Sequence, residues 1–215
     1  MTEQQKIEST IWHELGHVFL VSYSKAEISK LGFDRRGFYN GNRYNFTFGG
    51  MTYYNDFVKN ADIYKLNNSS FLFLRILNTY SGPIFESMYY ELNANEFFLK
   101  GKNHSKSDYS NFKNKLKEFE QLNHLNIECF CHGAFSELEL IFKNDTKIRN
   151  TLITVTDLIQ SKWIKDIHNY YNISTETLVE VITLMSNGVN NETKEKIKDI
   201  ESRFQHYINA VTHNI

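Results

Sequence analysis

Proline is nearly absent from this sequence, one residue in 215. Because proline kinks or ends helices, its scarcity excludes Pro-rich linkers and favours long uninterrupted helices. Cysteine is almost as rare. The two present, Cys129 and Cys131, cannot supply the disulfide framework of a small secreted domain. An excess of one charge is missing too: 24 Lys and Arg stand against 25 Asp and Glu, a formal net charge of −1. That balance offers neither the basic surface of a nonspecific nucleic-acid binder nor a polybasic membrane anchor. Long apolar runs are lacking as well. The best candidate, 71–85, is interrupted by Arg75, Asn78 and Pro83, and Met1-Thr2-Glu3-Gln4-Gln5-Lys6 has no signal-peptide core. Together these absences predict a soluble, cytoplasmic domain with no nucleic-acid partner and no membrane anchor.

What is present suffices for a core. Hydrophobic residues make up 41% and aromatics 15%, well above a disordered composition. A chain of this length buries roughly two-thirds or more of its unfolded surface. Ile7, Ile11, Leu15, Val18 and Phe19 recur at three- and four-residue steps, which predicts a helix over 3–23 with one apolar stripe. Over 27–54 the period changes to two: Tyr44, Phe46 and Phe48 alternate with Arg43, Asn45 and Thr47, and Asn40-Gly41 signals a hairpin turn. A small, at least partly antiparallel sheet is expected there. Its aromatics, with Tyr53 and Tyr54, form a core face or a groove against which an extended peptide adds as a strand.

Helical periodicity resumes over 69–80. Ser81-Gly82-Pro83 predicts a break, with a new helix opening at Pro83 and running to about 99. Further helices are expected over 107–122, 132–143, 145–169, 174–187 and 190–213. The fold class is α+β and mainly helical. Residues 1–123 form a core, and 124–215 a helical region packed on it, in the same domain or as a subdomain.

The chemistry concentrates in His13-Glu14-Leu15-Gly16-His17, an HExxH sequence. Residues four apart on a helix lie on one face, so both imidazoles can hold one zinc ion while Glu14 stands beside a water and takes its proton. Gly16 lies mid-helix, where it costs about 1 kcal/mol relative to Ala, and so signals a close approach on that face. The motif predicts a zincin-like peptidase domain that hydrolyses peptide bonds with Glu14 as general base. A metzincin continuation would need Gly at 20 and His at 23, but Leu20 and Tyr23 stand there. A thermolysin-like glutamate lacks a candidate as well, since 34–42 holds none.

Glu8 to Val18 resembles the helix that opens the peptidase domain of FtsH-type ATP-dependent zinc proteases, with Leu15 where that family has Ala. The segment from Glu27 to Tyr53 is similar in character to the glycine-punctuated sheet that follows there. Tyr80-Ser81-Gly82-Pro83-Ile84-Phe85-Glu86-Ser87 resembles a later glycine-containing helix, with Pro83 replacing Arg. Ser105-Lys106-Ser107-Asp108-Tyr109 resembles the segment that carries the family's third zinc ligand. The resemblance implies that His13, His17 and Asp108 bind Zn²⁺ and that Glu86 partners one histidine. The chain has no GxxxxGK[ST] motif, so the likeness is to the peptidase half alone and the expected activity is ATP-independent.

Two other third ligands remain open. Glu91-Leu92-Asn93-Ala94-Asn95-Glu96-Phe97 resembles the corresponding helix of ImmA/IrrE-like regulatory metalloproteases, which would make Glu91 the ligand; Glu86 is the other option. As an N-terminal helix residue, Asp108 also has an ordinary reading as a carboxylate favoured by the helix dipole. Expected partners are peptide or protein substrates: unfolded segments, flexible termini or one dedicated protein. A function of another class is a non-catalytic zinc-binding interaction module, recognised by a fourth protein ligand closing the site. Cys129-Phe130-Cys131-His132 has no second pair and reads as core or surface. His104, His124, His168, His206 and His213 are scattered and read as structural or solvent-facing.

Overall fold

A computed structural model describes residues 2–24, 27–40, 43–55, 69–99, 105–163 and 170–212. The order is α1 (Glu3–Tyr23), β1 (Glu27–Asn40), β2 (Arg43–Asn55), α2 (Ser69–Tyr90), α3 (Ala94–Leu99), α4 (Ser105–Asn123), α5 (Glu128–Asn144), α6 (Thr146–Trp163), β3 (Tyr170–Asn172), α7 (Thr175–Asn187) and α8 (Asn191–Thr212). The α+β, mostly helical class is as the sequence predicts. Among the described residues no helix is long and apolar enough to cross a membrane.

Thr2 starts α1 through a capping box, its hydroxyl taking the Gln5 amide hydrogen while the Gln5 side chain accepts from the Thr2 amide. The predicted one-sided stripe is an underestimate. Every residue from Ser9 to Val21 is buried, because α2, β2, α6 and α7 all pack on this helix. The hydroxyls of Ser9 and Thr10 are satisfied by the Lys6 carbonyl, at 3.1 and 2.8 Å. Gly16 marks the predicted close approach, since a Cβ there would collide with the Ser81 carbonyl of α2.

The break predicted at Ser81-Gly82-Pro83 does not occur, and α2 runs through Pro83. Proline removes one amide donor and crowds the carbonyl four residues back. Tertiary packing overrides that local preference: Ser81, Gly82 and Pro83 are all buried, and the Asn78 carbonyl in the turn before takes a hydrogen bond from Ser81 Oγ at 2.9 Å. The helix ends instead at Tyr90, followed by Glu91 in the left-handed region with φ 56°. The Ala94 amide at the start of α3 donates to the buried Glu139 carboxylate, 2.9 Å away.

β1 and β2 form the expected antiparallel hairpin, with Asn40 opposite Arg43; the Gly41 half of the turn signal lies outside the described residues. β3, which periodicity did not predict, pairs antiparallel with β1 on its other side, giving the order β2-β1-β3. The side chains of Tyr44, Phe46, Phe48, Tyr53 and Tyr54 lie outside the described set, as do His104, His168, His213 and the 164–169 part of one predicted helix. A single hydrophobic cluster joins the segments before and after residue 123. Phe73 stacks on Phe204 with centroids 4.2 Å apart, Tyr80 on Phe135 at 4.2 Å, and Phe19 meets Phe142 edge-on at 5.3 Å. Cys131 is buried in that cluster and Cys129 is exposed; both are free thiols.

Candidate metal centre

The site is built on one turn of α1. His13 and His17 stand one above the other with ring centroids 5.0 Å apart. Each ring is held through its Nδ1. His13 Nδ1 lies 3.0 Å from Glu86 Oε2, and His17 Nδ1 lies 2.8 Å from the Asn78 carbonyl oxygen. A carbonyl only accepts, so the hydrogen sits on Nδ1 of His17, and a neutral ring then offers its Nε2 lone pair to the site. A carboxylate partner at Nδ1 does the same for His13 and raises the basicity of the ring.

Both Nε2 atoms face one carboxylate. Asp108, in the first turn of α4, places Oδ2 2.9 Å from His13 Nε2 and Oδ1 3.5 Å from His17 Nε2. Oδ2 is buried, and His13 Nε2 is the polar atom it faces. Asp108 does stand in the first turn of α4, where the helix dipole favours a carboxylate, and from there it also reaches both imidazoles. Burial opposes charge on both imidazoles, yet the Asp108 carboxylate lifts both pKa values above the ordinary range, with Glu86 adding to the effect on His13. Burial likewise works against the Asp108 anion, but His17 and then His13 hold it well below the usual carboxylate range. The three side chains thus enclose a point where positive charge is favoured.

Glu14 is 5% exposed and receives a hydrogen bond on Oε2 from Thr52 Oγ1 of β2, at 2.7 Å. Ligand atoms of His13, Glu14 and His17 all lie within 4.8 Å of one another, so this buried group can hold a metal ion. Gly82 forms the wall beside the imidazoles: a Cβ there would sit 2.6 Å from His17 Nε2 and 2.8 Å from His13 Nε2. The centre opens into a cleft of about 830 Å³.

Of the residues singled out from sequence, His13, Glu14, His17, Glu86 and Asp108 come together. Glu86 meets the histidine on Nδ1, the side away from Asp108, which places it as a partner of the ring and not as a third ligand. Glu91 is corrected outright. It is exposed, outside any helix, and ion-paired with Arg149 at 2.9 Å, so it contributes nothing to the histidine site. Thr52, Gly82, the Asn78 carbonyl, Arg75 and Lys115 were not anticipated. For Arg75 a signal existed, because Arg75 and Glu86 are the sole charged residues of α2 and both reach this site.

Searches of family models, of curated proteins and of solved structures found no match to this chain.

Proposed function

We propose that this protein is a zinc-dependent metallopeptidase with a zincin-like core, similar to the peptidase half of FtsH-type proteases. The observation that carries the reading is the convergence of His13 Nε2, His17 Nε2 and the buried Asp108 Oδ2, with Glu14 beside them. Two nitrogens and one carboxylate oxygen are a donor set suited to zinc and common in catalytic sites. His13, His17 and Asp108 would hold the ion. When bound, zinc supplies Lewis-acid polarisation of a carbonyl and acidifies a water.

The remaining work falls to the protein. Glu86 and the Asn78 carbonyl fix the two rings through Nδ1, keeping Nε2 directed into the site. Glu14 takes a proton from water as the water oxygen bonds to the peptide carbonyl carbon. It then gives that proton to the nitrogen as the C–N bond breaks, so that one water is consumed. Thr52 holds one Glu14 oxygen and leaves the other to exchange the proton. Substrates are peptides or flexible protein segments that enter the cleft in extended form.

The closeness of Glu14 to the ligand atoms favours one rival, a non-catalytic module in which Glu14 itself binds the metal. Glu14→Gln separates the two. In the peptidase, zinc content measured by mass spectrometry stays near one per chain while cleavage of an unfolded protein disappears. Loss of zinc on this substitution supports the module, and undiminished cleavage refutes Glu14 as base. Asp108→Asn and His17→Ala should each abolish stoichiometric zinc, and retention of zinc in both would remove the proposed ligand set.

A further inference from the structure

Asn78 of α2 takes part in the centre through its main chain, and its side chain is a second piece of chemistry that this role leaves unused. The carbonyl anchors His17 Nδ1 at 2.8 Å and accepts from Ser81 Oγ at 2.9 Å. The side chain is 7% exposed and lines the cleft beside the two imidazoles. Its amide is oriented, because Oδ1 accepts from Ser81 Oγ at 3.2 Å. Nδ2 makes no hydrogen bond among the described residues and keeps its contact with the cleft. A carboxamide nitrogen carries two N–H donors, and leaving donors unsatisfied in a buried position is costly.

The neighbouring hydroxyls on this helix are spent. Thr79 also lines the cleft, but its Oγ1 donates to the Ile76 carbonyl at 2.6 Å. Ser81 has one hydroxyl hydrogen, and both of its acceptors belong to Asn78. On this stretch of α2 the uncharged side-chain donor left for a ligand is therefore Asn78 Nδ2. Gly82 lies four residues on, about 6 Å along the helix axis, and forms the wall against both Nε2 atoms. A peptide lying along that wall advances about 3.3 Å per residue with its carbonyls on alternating sides. The carbonyl at the cleaved bond, or one close to it on the same side, thus comes opposite the amide.

We propose that Asn78 Nδ2 donates a hydrogen bond to a main-chain carbonyl oxygen of the bound peptide. The acceptor is either the oxygen that gains negative charge as water adds to the cleaved bond, or a nearby carbonyl that has to be held in register. In the first case the bond strengthens as the reaction proceeds and speeds the chemical step. In the second it contributes to binding alone. The role rests on the peptidase reading, because it assigns a substrate contact to that centre. Replacing the side chain leaves the main-chain carbonyl that holds His17 in place, so the two functions of Asn78 can be separated.

Two substitutions in the full-length protein test it. Asn78→Asp keeps the shape and every acceptor but removes both donors, and Asn78→Leu is apolar and of similar size. Should Asn78→Leu fail to fold by circular dichroism, Asn78→Ala takes its place. Zinc content is measured by mass spectrometry, kcat and KM on a quenched-fluorescence peptide, and affinity by anisotropy of a labelled octapeptide with Glu14→Gln added to prevent turnover. Zinc should stay near one per chain in both variants. If the donor faces the cleaved carbonyl, kcat falls by about 100-fold or more while peptide affinity holds. If it faces a nearby carbonyl, affinity falls by about threefold to tenfold while kcat holds. Either variant matching the wild type in both readouts overturns the donor and leaves the peptidase reading standing. Loss of zinc also overturns it, since the side chain would then act through His17. If the wild-type protein neither binds nor cleaves any peptide, the peptidase reading fails and the donor with it.

Discussion

Thr52 Oγ1 donates a 2.7 Å hydrogen bond to Glu14 Oε2, tying the sheet to the residue proposed as general base. A hydrogen bond to a charged group contributes about 1.5–3 kcal/mol, and here it also orients the carboxylate. Thr52→Val keeps the shape and removes the donor. In the peptidase it should lower kcat by about tenfold or more with KM and zinc content unchanged. Steady-state kinetics on a quenched-fluorescence peptide measure it, and an unaltered kcat would show that Thr52 only fills space.

Glu86 is fully buried and touches His13 on the nitrogen turned away from Asp108. Glu86→Gln retains an acceptor for the Nδ1 hydrogen but loses the charge that makes the ring more basic. Removing such a partner weakens metal affinity by about 10–100-fold. Competition with a chromophoric chelator reads the change directly, and equal affinity in both proteins would refute the role.

The contact between Gly16 and Ser81 is backbone against backbone, and neither helix can yield without moving the other. Gly16→Ala therefore destabilises the fold although alanine is the better helix former, by about 1–3 kcal/mol. Urea denaturation followed by circular dichroism tests the sign: a stabilised variant would mean the two helices separate easily.

Lys115 carries a pH signature. An unfolded lysine titrates at 10.5 and the folded one at about 8. Below 8 it is protonated in both states, and the folded chain bears the full penalty of a desolvated charge. Between 8 and 10.5 the folded chain sheds the proton that the unfolded chain keeps, so stability rises with pH. Lys115→Met should accordingly stabilise the protein most below pH 8, with the gain fading towards 10.5. Denaturation midpoints over this range provide the check, and a pH-independent gain would contradict the shifted pKa.

The helix that carries the histidines was legible because i, i+4 spacing needs no tertiary information. Gly16 was legible for a related reason: a residue unfavourable within a helix implies something pressed against it. Asp108 was reached only through the order of segments in a resembling family, since nothing local separates a ligand from a helix-starting acid. The Asn78 carbonyl had no sequence signal at all, being main chain that any residue would supply. Ser81-Gly82-Pro83 misled in an instructive way. Its local chemistry calls for a break, but its small residues allow α1 and α2 to touch, and that packing keeps the helix whole. Glu91 fails because α2 ends one residue before it and turns it outward, a geometry set by the left-handed backbone. β3 is three residues long, too short for any period to register.

That short strand also imposes an order of assembly. β1 takes one neighbour from the adjacent hairpin, but Gly32–Asp34 must wait for Tyr170–Asn172, more than a hundred positions later. During synthesis α1 leaves the ribosome before anything else described here, while closing so distant a pairing needs most of the chain to be made. The hairpin that supplies Thr52 to Glu14 can thus form long before the third strand joins it. His13, Glu14 and His17 are translated first, but their partners Glu86, Asn78 and Asp108 come from α2 and α4, so the centre cannot assemble until those helices have been made.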